Sequence, residues 1–175
     1  MTISKEVLSK FVEKGNIFIE TGTWQGFTTA LAFKIGFKKI FTIELSNKYY
    51  QDALKKFSKI KNIVCINGDS IDILPMLLKN INEKVVFWLD GHYSGEGTAK
   101  GVFEVPLFQE LDAISKHQIK NHTILIDVVR LMNSSDWKNI SIEDIKNKIL
   151  QINPEYQFYF EDGHVKNDIL VAQTK

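Results

Sequence analysis

A chain of 175 residues, 44% of them hydrophobic, is expected to fold as one domain spanning residues 1–175 and to bury its core without disulfides or structural metals. Its 22 Lys and Arg nearly cancel 21 Asp and Glu, which argues against the basic stripe that would grip nucleic-acid phosphates. No apolar run approaches the roughly 18 residues that span a bilayer, and the first residues do not read as a secretion signal, so a cytoplasmic protein with no membrane partner is expected.

In chain order, Ile3, Val7, Leu8, Phe11 and Val12 recur at helical spacing and predict a short amphipathic helix stopped by Gly15. Five apolar runs too short for helices follow: Asn16 to Glu20, Lys39 to Leu45, Asn62 to Asn67, Val85 to Asp90 and Thr123 to Asp127. Helical patterns lie between them: Phe27 to Ile35, Ser46 to Ile60 with Ser46 as N-cap, Ser70 to Ile81 with Ser70 as N-cap, and Val105 to His117 with Pro106 in the first turn. Strands alternating with helices imply right-handed crossovers and a mostly parallel sheet. The last third breaks this rhythm. After a helix capped by Ser141, the runs Tyr156 to Glu161 and Asp168 to Gln173 flank Asp162-Gly163, which predicts a tight antiparallel hairpin. Cys65, inside Ile63-Val64-Cys65-Ile66, reads as a small buried hydrophobe.

In an open parallel sheet, ligands bind beyond the carboxyl ends of the strands. Glu20, Glu44, Asp90 and Asp127 end four of the five predicted parallel strands, and Asp69 lies two residues past the third. Acids crowded on one sheet edge repel one another, so a ligand rich in hydroxyl and amino groups explains them better than fold stability does. The loop Glu20-Thr21-Gly22-Thr23-Trp24-Gln25-Gly26 is of nucleotide-binding type, although Gly22 and Gly26 could also serve strand–helix packing alone. Trp24 fills the middle glycine position of the dinucleotide pattern and would obstruct a pyrophosphate. Glu44, 18 residues past Gly26, stands where ribose hydroxyls are usually accepted. Asp69-Ser70 fits either a ligand contact or a plain N-cap pair.

Glu20-x-Gly22-x-x-x-Gly26, Glu44, Gly68-Asp69 and the closing hairpin resemble the class I S-adenosylmethionine-dependent methyltransferases over nearly the whole chain. Trp88-Leu89-Asp90-Gly91-His92-Tyr93-Ser94-Gly95, Thr98-Ala99-Lys100-Gly101 and Ile124-Leu125-Ile126-Asp127 are similar to a small bacterial subgroup often found with surface-polysaccharide genes. The resemblance implies an α/β, Rossmann-like three-layer sandwich whose seven-stranded, mostly parallel sheet closes with the antiparallel hairpin. It implies a cofactor set of Glu20, Thr21, Gly22, Thr23, Gln25, Gly26, Thr28, Glu44, Leu45, Asp69, Ser70 and Asp90, with Gly22 and its neighbours toward the methionine part, Glu44 toward the ribose, and Asp69 and Ser70 toward the adenine.

The resulting expectation is methylation of a small molecule or sugar, with O-methylation favoured. His92 is the natural general base, Asp90 and Asp127 its companions, and Tyr93 an orienting group. A loop histidine can also be plain surface. Ser94 to Val102 reads as a mobile substrate loop in which Lys100 could meet an acidic acceptor or simply be solvated. Asp90 and Asp127 raise the idea of a divalent metal, yet Val128 stands where metal-dependent relatives carry a second polar ligand, so no metal is assigned. Arg130 is expected to pair with one of these acids. Phe108, Trp88, Phe158 and Phe160 are expected in the core. A substrate cover would come from the 94–102 loop or from a homodimer. The alternatives are a nicotinamide-dependent Rossmann oxidoreductase, opposed by Trp24 and the hairpin, and a non-catalytic S-adenosylmethionine-binding module, for which Val128 is the hint.

Overall fold

A computed structural model describes residues 3–93, 95 and 98–175, with only the backbone of Asp136; Ser94, Glu96 and Gly97 of the expected substrate loop lie outside the described residues. The elements are β1 (Ile17–Thr21), β2 (Lys39–Glu44), β3 (Ile63–Asn67), β4 (Val85–Leu89), β5 (Thr123–Ile126), β6 (Gln157–Glu161) and β7 (Ile169–Gln173). The helices are α1 (Lys5–Ser9), α2 (Phe27–Ile35), α3 (Asn47–Phe57), α4 (Ser70–Leu78), α5 (Leu107–Ser115) and α6 (Ile142–Ile152). They build one seven-stranded sheet in the order β3-β2-β1-β4-β5-β7-β6. The first five of these strands run parallel; β7 pairs antiparallel with β5, and β6 antiparallel with β7.

The central strands are buried on both faces, which is why they read as unbroken apolar runs. Successive side chains alternate between two cores: Val85, Phe87 and Leu89 of β4 join the layer containing Leu74, Leu111 and Ile149, whereas Val86 and Trp88 join the layer containing Leu8, Leu31 and Phe57. Phe87 and Trp88 are fully enclosed, and truncating either to Ala would cost about 3–5 kcal/mol. Among the described residues, no helix is long and apolar enough to cross a membrane.

Ser46 caps α3 and Ser141 caps α6, as the sequence predicts, the latter in a capping box with Asp144. Several details differ. Helix α1 ends at Ser9, and a separate 3-10 turn spans Val12–Lys14. Gly15 is no left-handed stop: its backbone is extended (φ −175°), and a Cβ there would lie 2.8 Å from the Lys84 carbonyl oxygen, so close chain approach demands the glycine. The N-cap of α4 is Asp69 rather than Ser70, because the Asp69 carboxylate accepts the Ile71 N–H at 3.2 Å. The hairpin turns through residues 162–168 rather than through a tight Asp-Gly pair, since Glu161 faces Ile169 and Asp162 accepts from the Asn167 N–H. Phe160 lies on β6, the edge strand with a neighbour on one side only, and is 37% exposed rather than in the core.

Candidate functional site

Strand order reverses at β1 and β4, and beyond their carboxyl ends opens a cavity of about 1020 Å³. Gly22, Trp24, Glu44, Leu45, Asp69 and Ser70 line one half; Asp90, His92, Tyr93, Asp127, Arg130 and Trp137 line the other. The expected ligand-binding edge is therefore a single continuous hollow.

The glycine loop is held by its own backbone. Gly22 donates its N–H to the Ile43 carbonyl at 2.9 Å and sits at φ +82°, where a Cβ would come within 2.4 Å of the Asp90 carbonyl oxygen. Trp24 occupies φ +46° and donates its N–H to Glu44 Oε2 at 2.7 Å, while the Ser46 N–H donates to Glu44 Oε1 at 2.7 Å. Each carboxylate oxygen has a further lone pair for a hydroxyl donor. From α3, Lys56 Nζ donates to the carbonyls of Gln25 (2.9 Å) and Gly26 (3.2 Å).

Glu20 lies beneath this surface, 1% exposed, accepting the Thr42 hydroxyl at 2.7 Å and the Thr29 hydroxyl. Burial pushes its carboxyl up to about 7 against those hydrogen bonds. Thr23 shares a hydroxyl contact of 2.5 Å with Thr42. Thr21 accepts the Asp90 N–H on both its hydroxyl and carbonyl oxygens at 3.2 Å. Glu20, Thr21, Thr23, Gln25, Gly26 and Thr28 are thus not in the cavity lining; Glu20, Thr21, Thr23 and Thr28 are buried behind it, and Gln25 and Gly26 meet Lys56 through their carbonyls.

In the second half, His92 Nδ1 is 3.4 Å from Asp90 Oδ1, and its ring packs 5.3 Å from Trp137. Burial, followed by the charge of Arg130, pushes the imidazole down to about 4, so it is neutral at physiological pH. Burial and then the Asp127 carboxylate raise Asp90 well above the usual range. Tyr93 donates its N–H to the Glu104 carbonyl at 2.8 Å and lies beneath Lys100 Nζ, 5.7 Å from the ring centre. Glu104 pairs with both Lys100 and Lys138, and these cations hold its carboxyl down at about 2. Arg130 does not join Asp90 or Asp127 as expected; it pairs with Asp168, whose wholly enclosed carboxylate also accepts the Arg130 N–H at 3.2 Å. The left-handed backbone of Val128 (φ +60°) sends the chain toward β7 and makes this pairing possible.

Glu104, Trp137 and Lys138 line the cavity and Glu110 is a buried acid outside its lining; sequence reasoning missed all four. Only Glu110 carried a signal: it shares the helical stripe Leu107, Leu111, Ile114 that α5 buries, an improbable place for an idle carboxyl. Among the described residues no cluster of three His, Cys, Asp or Glu side chains is arranged to hold a metal ion.

No family model and no curated protein matches the sequence. Solved structures do match the fold. A methyltransferase from Podospora anserina bound to S-adenosylhomocysteine superposes with TM-score 0.65 at 14% identity, covering 98% of this chain and 77% of that one. An O-methyltransferase from Bacillus cereus in complex with S-adenosylhomocysteine gives 0.64 at 15% identity, covering 99% and 82%. A candidate rRNA methylase from Clostridium thermocellum matches along its full length, 100% of both chains, with TM-score 0.61 and 14% identity. The fold is accordingly the Rossmann-like sandwich of these methyltransferases.

Proposed function

We propose that this chain is an S-adenosylmethionine-dependent methyltransferase acting on an oxygen of a small hydroxyl-bearing acceptor, a sugar being the favoured class. The observation that carries the reading is Glu44: two backbone amides fix its carboxylate at the cavity wall one strand from the Gly22 turn, with lone pairs left for two ribose hydroxyls. The fit extends along the cavity, where Gly22 supplies the close approach and Asp69 and Ser70 offer polar groups to an adenine. The Trp24 side chain, 44% exposed at the rim, disfavours a nicotinamide dinucleotide in the same loop.

The bound cofactor would supply an electrophilic sulfonium methyl. The protein's share is to hold the acceptor oxygen in line and to take its proton. His92, neutral and 3.4 Å from Asp90, is the proton acceptor; Asp90, whose carboxyl burial and Asp127 raise, stabilises the imidazolium that forms once the pH is high enough to ionise it. The cavity carries Glu44, Asp69, Asp90, Glu104 and Asp127 against Arg130 and Lys138, a balance that suits a neutral polyol and repels nucleic-acid phosphates. Trp137 and Tyr93 offer flat faces to a sugar ring.

Thermal melts with S-adenosylmethionine, S-adenosylhomocysteine and NAD test the cofactor. The two sulfur compounds are expected to stabilise the protein, and stabilisation by NAD alone would reject the reading. Turnover on a sugar and catechol panel then separates an enzyme from a binding module.

A further inference from the structure

The loop from Gly22 to Gly26 is fastened at three points, and all three belong to the β2–α3 unit. Gly22 and Trp24 donate their N–H groups to the Ile43 carbonyl and the Glu44 carboxylate at the end of β2. The third point is the last turn of α3. There Lys56 Nζ donates to the carbonyls of Gln25 at 2.9 Å and Gly26 at 3.2 Å, and stands 5.0 Å from the ring centre of Phe27 and 5.4 Å from that of Phe57. The helix comes so near that a Cβ on Gly26 would lie 2.9 Å from Phe57 Cε2. Among the described residues no acid pairs with Lys56, so its ammonium is committed to the loop and to these two rings.

Gln25 and Gly26 lie outside the cavity lining, but Trp24, the residue before them, is part of it, and its N–H orients Glu44. A shift of the Gln25 and Gly26 carbonyls would therefore pass directly to that hydrogen bond. We infer that Lys56 is a positioning residue: it pins the far end of the loop, so that Trp24 and Glu44 keep one geometry toward the ribose. The inference rests on the methyltransferase reading. An ammonium suits the task, because one nitrogen carries three donors and can serve two carbonyls at once.

Lys56→Met, Lys56→Arg and Lys55→Met are compared by calorimetric titration with S-adenosylhomocysteine, well below each variant's melting temperature. Lys56→Met keeps an unbranched stem against the rings but donates nothing, and is expected to bind about fivefold to twentyfold more weakly than the parent. Lys56→Arg keeps the charge and a fork of donors and is expected to stay within about threefold. Lys55, the exposed neighbour on α3, controls for net charge, and its variant is expected to bind as the parent does. In the ligand-free protein the hydrogen-bonded amides of Gly22, Trp24 and Gly26 should exchange faster in Lys56→Met, while those of β4 should not. The inference is overturned if folded Lys56→Met binds and exchanges as the parent does, if Lys56→Arg or Lys55→Met loses as much as Lys56→Met, or if neither Lys56 variant folds, which would assign the residue to stability alone. A parent protein that does not bind S-adenosylhomocysteine rejects the methyltransferase reading as well. Parent binding with an indifferent Lys56→Met rejects this inference alone.

Discussion

The backbone N–H of Trp24 donates to Glu44 Oε2 at 2.7 Å, so the loop after β1 and the end of β2 are fastened together. Glu44 thereby holds the loop besides lining the cavity where the proposed cofactor would lie. Glu44→Ala is expected to weaken S-adenosylhomocysteine by about tenfold to a hundredfold, the range for hydrogen bonds to a charged acceptor. Glu44→Gln keeps one acceptor oxygen and is expected to fall between alanine and the parent in calorimetric titration.

His92→Ala removes the proposed proton acceptor but leaves the loop, Glu44 and Asp69 untouched. S-adenosylhomocysteine affinity should stay within about threefold, while kcat falls by about a hundredfold to ten-thousandfold. Because burial holds the imidazole at about 4, it stays unprotonated from neutral pH down to that value. Any activity lost on acidification above about pH 5 then belongs to the raised carboxyls of Asp90, Glu20 and Glu110 rather than to the imidazole, and the same acid limb should persist in His92→Gln. A limb that vanished with the imidazole would reassign the titration to His92.

The parts of this site differ in how far the sequence announces them. Strands β1, β4 and β5 stand out because burial on both faces requires unbroken apolar runs, and Ser46 and Ser141 because a helix start needs a local acceptor. Both are short-range demands. The pairing of Arg130 with Asp168 spans 38 residues and depends on the left-handed turn at Val128, a conformation that a β-branched residue does not advertise. The long hairpin loop is similarly hidden, because Asp162-Gly163 satisfies the rule for a tight turn while the register of β6 on β7 places the turn elsewhere.

Far from the cavity, His117 and His122 form a buried chain. The Val85 N–H donates to His122 Nδ1 at 3.1 Å, which leaves His122 Nε2–H to donate to His117 Nδ1 at 3.0 Å; His117 Nε2 in turn meets the Ile81 carbonyl at 2.8 Å. Burial, then the neighbouring His117, push His122 down to about 3. The unfolded chain takes the proton first, so stability is complete above about pH 6.5 and is lost as pH falls toward 3, by up to about 4 kcal/mol. Melting temperatures between pH 7 and 4 should show the fall. His122→Asn, which keeps an acceptor for Val85, should flatten it.

Gly22 and Gly36 separate two costs of losing a glycine. Both have positive φ, +82° and +107°, but a Cβ at Gly22 strikes the Asp90 carbonyl at 2.4 Å whereas one at Gly36 meets nothing within 4 Å. Gly36→Ala should cost only backbone strain, about 1–3 kcal/mol, with S-adenosylhomocysteine affinity unchanged. Gly22→Ala should cost more than that and also displace the Asp90 backbone, weakening the ligand. Equal denaturation midpoints and equal affinities for the two variants would contradict the close approach at Gly22.

Arg130 joins the turn after β5 to the first residue before β7, since its main chain and its guanidinium both serve Asp168, while the Asp168 carbonyl accepts the Val129 N–H at 2.9 Å. The Asp168 side chain is wholly enclosed but that of Arg130 is 34% exposed, so removing the arginine strands a buried carboxylate. Arg130→Ala is expected to destabilise the protein by about 3–5 kcal/mol, whereas Asp168→Asn in the same background should recover part of the loss by removing the unpaired charge. The variant also lifts a positive charge from beside His92, one of the two causes that hold the imidazole down. The His92 titration, followed by NMR, should therefore move upward in Arg130→Ala, and a downward or absent shift would show that burial alone sets it.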